Sequence, residues 1–206
     1  MDEKEPVVFV VDDSGSVRKS LERLFRSAEL KVECFESAQD FLNAKRHNGP
    51  SCIVLDVRMP GLSGFDLQDA LGTSGFIIPI IFLTGHGNVP QSVRAMKAGA
   101  VDFIEKPFEG EQLLDAVQKA LEKDRLHRAL ENDIRQIMAR VQSLTPREYQ
   151  VFTHVIKGRL NKQIAFDLGT VEKTIKVHRA QVMRKMQVDS LAALVRMAEK
   201  AGLAGD

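Results

Sequence analysis

Cysteine is scarce in this 206-residue chain: Cys34 and Cys52 are the only two, and no Cys/His spacing reads as a metal site. A disulfide framework has no basis, and a reducing cytoplasm is the default compartment. Long apolar runs are also missing. None approaches the roughly 18 residues that a membrane span needs, so no membrane partner is expected. The start, Met1-Asp2-Glu3-Lys4-Glu5, is too acidic for a secretory leader. The chain also lacks a strong net charge, which is formally +1. What is present is an ordinary globular mixture, 44% hydrophobic and 28% charged, enough for one large domain or two small ones. The charge is unevenly spread. Residues 1–122 carry 13 Lys/Arg against 19 Asp/Glu, residues 123–142 carry five against three, and residues 143–206 carry 11 against six. An acidic front and a basic back point to two jobs, the second on a polyanion.

The stretch from Cys52 to Asp56 is short, apolar and β-branched, and it stops at a carboxylate before the Pro60-Gly61 turn. It reads as a buried strand. Four more strands are expected over 7–11, 31–35, 77–83 and 101–104. Helices are expected between and after them: after an N-cap at Ser14 or Ser16, from the Ser37–Asp40 capping box to about Ala44, over 64–71, over 89–97, and from near Gly110. Five strands alternating with five helices predict a parallel sheet covered on both faces. Ligands of such sheets bind outside the carboxyl ends of the strands. Four strands here end in a candidate functional group: Asp12 and Asp13, then Asp56, Thr84 and Lys106.

Clustered carboxylates either raise their pKa values or hold a cation, and an all-oxygen cluster beside a phosphoryl group suits Mg2+. A carboxylate can also act as a nucleophile and form an aspartyl phosphate. Each residue has a plainer role open to it: N-cap, turn residue, strand-end threonine or solvated lysine. All of them together, one at each strand end, favours chemistry. His86, in the loop after Thr84, reads as a loop residue near the site rather than a ligand or phosphodonor.

Asp12-Asp13, Asp56 with Arg58-Met59-Pro60-Gly61, Thr84, and Lys106-Pro107 resemble the motifs of a bacterial two-component receiver domain. The resemblance covers residues 5–122. It implies a doubly wound α/β fold with strand order 2-1-3-4-5, with Asp56 as phosphoacceptor. It implies Mg2+ held by Asp12, Asp13, Asp56 and the backbone carbonyl of Arg58, and phosphoryl contacts from Thr84 and Lys106. Thr84 and Phe103 take the switch positions, although the family often has Tyr where Phe103 stands and Ala where Gly85 stands. A cis Lys106–Pro107 bond is common in such domains. Dimerisation on activation would involve Val93, Arg94, Lys97 and Asp102.

From Glu111 to Pro146 no Gly or Pro interrupts the chain, so residues 123–142 are expected to be a helical linker continuing the last receiver helix. Residues 143–206 read as four helices. Thr145-Pro146-Arg147-Glu148 is a capping box with Pro at the first helical position. Asn161 is the expected cap of a short second helix over 162–168. The third runs from Glu172 or Thr174 to Met186, and Ser190 caps the fourth. Two helices joined by a tight turn containing Gly169 read as a helix-turn-helix. On the third helix Ile175, His178, Val182 and Met186 share a core face. Lys173, Lys176, Val177, Ala180, Gln181 and Arg184 lie on the other face, a mixture suited to phosphates and base edges.

The segments around Leu144–Glu148, Gly158, Asn161–Ala165 and Thr174–His178 resemble the four-helix LuxR-type DNA-binding domain. The whole chain is then similar to a FixJ/NarL-type response regulator. The resemblance makes the third helix the recognition helix, with Lys173, Thr174, Lys176, Val177, Ala180, Gln181 and Arg184 on DNA and with Asn161 and Lys162 on phosphates. Its implied partners are a sensor histidine kinase, promoter DNA, a second copy of the chain and RNA polymerase. The expected function is phosphorylation-controlled dimerisation, DNA binding and transcriptional activation, without enzymatic activity. Two other readings stay open at this point: a Mg2+-dependent aspartyl-phosphate enzyme, and a receiver whose C-terminal domain binds protein instead of DNA.

Overall fold

The structure is a computed structural model that describes residues 5–85 and 89–203; His86 and Gly87 therefore lie outside the described residues. The chain folds as two units, 1–128 and 129–206.

From the first unit onward the elements alternate: β1 (Val7–Val11), α1 (Gly15–Ser27), β2 (Lys31–Phe35), α2 (Ala38–Asn43), β3 (Ser51–Asp56), α3 (Gly64–Thr73), β4 (Ile80–Thr84), α4 (Val89–Lys97), β5 (Asp102–Glu105) and α5 (Gly110–Gln142), which runs past the 128/129 boundary. The strands form one parallel sheet in the order β2-β1-β3-β4-β5. Side chains alternate across the sheet, as period-2 geometry requires. Phe9, Ile53, Leu55 and Phe82 face one core layer with Phe41, Leu67, Leu71 and Ala95 of α2, α3 and α4. Val8, Val10, Val54, Ile81 and Leu83 face the other, with Leu21 and Phe25 of α1 and Leu113, Val117 and Ala120 of α5. The central strands are buried on both faces, so they read as unbroken apolar runs. By contrast β2 lies at an edge, with Lys31, Glu33 and Cys34 exposed.

Ser14 is the N-cap residue of α1, and the Ser37 hydroxyl accepts from the Asp40 N–H at 3.1 Å. The fourth strand starts at Ile80, later than the apolar run suggests. Pro79 precedes it and has no N–H for the ladder, while its carbonyl accepts from Ile53 N–H at 2.8 Å. The fifth strand runs over Asp102–Glu105, one residue further along than expected.

Helix α5 is continuous over 33 residues. Its early stripe, Leu113, Val117, Ala120 and Leu121, belongs to the sheet's core. Its late residues Ile137 and Val141 belong to the core of the second unit.

That second core also takes Val151, Phe152, Ile164, Ile175, Val182, Met186 and Leu194. They come from α6 (Pro146–Ile156), α7 (Asn161–Asp167), α8 (Glu172–Met186) and α9 (Leu191–Lys200). The Thr145/Glu148 capping box is present with Pro146 at the helix start, and Ser190 caps α9. Asn161 is not a cap. Leu160 holds that position, its N–H donating to the Gln163 side chain at 2.9 Å, and Asn161 is the first helical residue. The side-chain carbonyl of Asn161 instead accepts from Arg179 at 3.1 Å.

Candidate functional site

The ends of β1, β3 and β4 and the residue after β5 place Asp12, Asp56, Thr84 and Lys106 at the carboxyl edge of the sheet. Lys106 Nζ donates to Asp12 Oδ2 at 2.9 Å and to Asp56 Oδ1 at 2.8 Å. The other two carboxylate oxygens accept backbone N–H groups: Asp12 Oδ1 from Ser14 at 2.9 Å and Asp56 Oδ2 from Arg58 at 2.7 Å. Asp12 and Asp56 are nearly buried, and one half-buried ammonium serves both. Burial pushes the Asp56 carboxyl up from its ordinary value of 3.8, against the pull of Lys106. Burial lowers Lys106, but the hydrogen bonds and charges of the two carboxylates outweigh it and hold Lys106 above its ordinary 10.5.

Other parts of the chain fix this edge. The Lys106 N–H donates to the Thr84 carbonyl at 2.7 Å, and the Lys106–Pro107 bond is cis. Thr84 is buried. Arg18 Nη1 donates to the carbonyls of Asp12 at 2.7 Å and Asp13 at 3.0 Å, fixing the turn after β1. The Asp13 side chain is exposed. Lys106 brings Asp12 and Asp56 together, and among the described residues no three His, Cys, Asp or Glu side chains gather as a metal group. Phe103 is half-buried, its ring 6.0 Å from Phe82. Gly64 was not anticipated from sequence. A Cβ there would stand 2.3 Å from the Asp56 carbonyl oxygen, so only glycine lets the start of α3 lie this close to the strand end.

Of the residues expected to pair two copies, Val93, Arg94 and Lys97 are exposed on α4, and Asp102 is half-buried at the start of β5. Arg94 is engaged within its own chain, with Asp69 at 3.0 Å and over the Phe65 ring at 4.7 Å. Asp102 accepts from the Phe103 N–H at 2.8 Å.

In the second unit α8 buries Ile175, Val182 and Met186, while His178 is half-buried. Its opposite face exposes Lys173, Lys176, Val177, Ala180 and Arg184, with Thr174 and Gln181 half-buried at its margins. Lys176 pairs with Glu172 at 3.2 Å. Lys162 is exposed on α7, and Asn161 is half-buried against Arg179. Arg179 was not picked out from the sequence, because its partner is 18 residues away and no local spacing marks the pair.

Comparison with known proteins covers both units. The response regulator receiver domain matches residues 8–118, and the bacterial regulatory proteins of the luxR family match residues 142–198. Nodulation protein W of Bradyrhizobium diazoefficiens is 48% identical over 200 residues, spanning 97% of this chain and 88% of that protein. Response regulator protein TodT of Pseudomonas putida is 45% identical over the same shares. Among solved structures, the response regulator StyR has a TM-score of 0.85 at 48% identity, covering 95% of this chain and 99% of StyR. No helix among the described residues is long and apolar enough to cross a membrane. The receiver edge, the helix-turn-helix unit and this full-length similarity lead to one conclusion: the chain belongs to the receiver–LuxR family of two-component response regulators, as a FixJ/TodT-like transcriptional regulator and not an enzyme.

Proposed function

We propose that Asp56 is the phosphoacceptor, and that its phosphorylation by a sensor histidine kinase switches the protein to dimerise, bind promoter DNA and activate transcription. The observation that carries this reading is Lys106 bridging Asp12 and Asp56 at the carboxyl edge of the sheet. A carboxylate oxygen of Asp56 attacks the phosphorus of the kinase's phosphohistidine; the P–N bond breaks and imidazole leaves. In this reading Lys106 exchanges its carboxylate partner for a phosphoryl oxygen, and Thr84 contacts the phosphoryl group from the same edge.

Although no three carboxylates gather among the described residues, the chemistry of the donors suits Mg2+. The set is all oxygen, each oxygen of Asp12 and Asp56 has one protein donor and keeps a lone pair, and Asp13 is exposed on the adjoining turn. Asp12, Asp13, Asp56 and the Arg58 carbonyl would hold the ion, which would offset the negative charge of the phosphoryl group. The domains in this reading are a receiver over 5–122, a helical linker over 123–142 and a DNA-binding domain over 143–206.

Val93, Arg94, Lys97 and Asp102 form the dimer surface. Arg94 leaves Asp69 to take part. On DNA, Lys176 and Val177 read base edges, with Thr174, Ala180 and Gln181 beside them. Lys162, Lys173 and Arg184 contact phosphates, and Asn161 joins them when it gives up Arg179. RNA polymerase is the downstream partner.

The test is sedimentation mass with and without acetyl phosphate and Mg2+, for the wild type and Asp56→Asn. A dimer formed only by phosphorylated wild type supports site and switch together. Phosphate incorporation without any change of mass removes the dimer step, and no incorporation at all removes the site.

A further inference from the structure

A third buried carboxylate of the first unit sits on α5, not at the strand ends. Asp124 is 1% exposed. Its Oδ2 accepts from the backbone N–H of Ser51, the first residue of β3, at 2.8 Å. The same oxygen accepts from Arg128 Nε at 2.6 Å, and Arg128 Nη2 reaches the Ser51 hydroxyl at 3.5 Å. Oδ1 of Asp124 is buried and has no hydrogen-bond partner among the described residues.

This arrangement is not what plain packing would select. The docked stripe of α5 is apolar through Leu113, Val117, Ala120 and Leu121. Asp124 and Arg128 come next on that stripe, at helical spacing, and close it with charge. An apolar side chain would dock there without a buried unpaired oxygen, but it would take from the Ser51 N–H the acceptor it has here. Apolar contact is also non-directional, so it tolerates rotation and sliding of a helix. A carboxylate on a strand N–H tolerates neither, because the hydrogen bond weakens steeply off its axis. The pair therefore fixes the height and rotation of α5 on the sheet.

The place where it does so matters. Ser51 and Asp56 are the two ends of β3, a strand paired on both sides, with β1 and with β4. One strand thus holds the phosphoacceptor at its exit and the middle of α5 at its entry. From Arg128 onward α5 continues through the linker to Gln142.

We propose that Asp124, seated on Ser51 and clamped by Arg128, is a positioning latch that passes the state of β3 to the linker helix. It rests on the reading of Asp56 as phosphoacceptor. With the latch broken, Asp56 is still phosphorylated, but phosphorylation no longer raises affinity for DNA. The latch takes no part in the chemistry; it acts only through the seating of α5.

The test uses the full chain and a DNA duplex selected in vitro by the acetyl-phosphate-treated wild type. Two variants are needed. Asp124→Leu with Arg128→Met replaces the pair by apolar side chains of similar size, an exchange that buried ion pairs generally survive. Asp124→Asn keeps an oxygen for Ser51 and removes the charge. The readouts are phosphate incorporation at Asp56, hydrogen exchange at the Ser51 amide, and the ratio of DNA affinities with and without phosphorylation. The expected result for the double variant is incorporation near wild type, faster Ser51 exchange, and an affinity ratio lowered at least about fivefold toward one. Asp124→Asn should fall between it and the wild type. A wild-type ratio in the double variant despite faster Ser51 exchange overturns the latch, as does a parallel loss of incorporation. If the wild type itself shows no ratio above one, it is the phosphorylation switch that fails, a result distinct from either.

Discussion

At the scale of the residue, one ammonium holds two buried carboxylates. Lys106→Met removes the donor shared by Asp12 and Asp56 and leaves two oxygens unpaired. We expect a loss of about 2 kcal/mol in denaturant melts without metal, part of it restored by Mg2+. The pH dependence has a definite sign. The Asp56 carboxyl lies above its ordinary 3.8, so it binds its proton more tightly folded than unfolded. That contribution to stability is present below 3.8 and is lost as pH rises through the folded value. Phosphorylation needs the carboxylate, so the rate of labelling by acetyl phosphate should fall on acidification with a midpoint above 3.8, which a pH series measures directly. Lys106 lies above 10.5, and its contribution is present below 10.5 and is lost as pH rises through its folded value. Gly64→Ala forces a Cβ against the Asp56 carbonyl; a cost of about 1–3 kcal/mol and slower phosphorylation are expected together. Asp12, Asp56, Thr84 and Lys106 were legible in sequence because each stands at the end of an apolar run. Asp124 was not, because its partner Ser51 lies 73 residues away and nothing local to an α-helix announces a strand N–H.

At the scale of the element, helix ends were read better than strand starts. Thr145 and Glu148 cap α6 as their spacing implied, since a capping box is local chemistry. Thr145→Ala should cost the second unit about 1 kcal/mol, seen as a lower unfolding midpoint. The Lys185 hydrogen bond, then the Thr145 N–H, holds the Glu148 carboxyl below its ordinary 4.5. Its contribution is therefore present above 4.5 and is lost as pH falls through the folded value. Strand β4 begins late because the apolar run continues through Ile77 and Ile78 into Pro79, and only pairing distinguishes apolar loop from ladder. The expected Asn161 cap is off by one position for a similar reason: Gln163 competes for the cap, and Arg179 takes the Asn161 oxygen. On α8, Val177→Ala should alter base preference in an in vitro selection, whereas Lys173→Ala should weaken all sequences alike and flatten the salt dependence.

At the scale of the whole molecule, the uneven charge visible in the sequence becomes a division of labour. The acidic part carries the receiver edge proposed for phosphoryl chemistry, and the basic part carries the face suited to DNA. If a dimer neutralises about six phosphates, its affinity should drop about a thousandfold between roughly 50 and 200 mM salt, which a titration series checks. The division itself was readable from composition. The boundary was harder, because α5 runs without interruption from one core to the other and no loop, glycine or proline marks a border. The edge strand β2 adds a last consequence. Its outer positions carry Lys31 and Glu33 toward solvent, so the free rim of the sheet is guarded by charge against a strand from another molecule. Growth of chain upon chain into fibres along this rim is thereby discouraged.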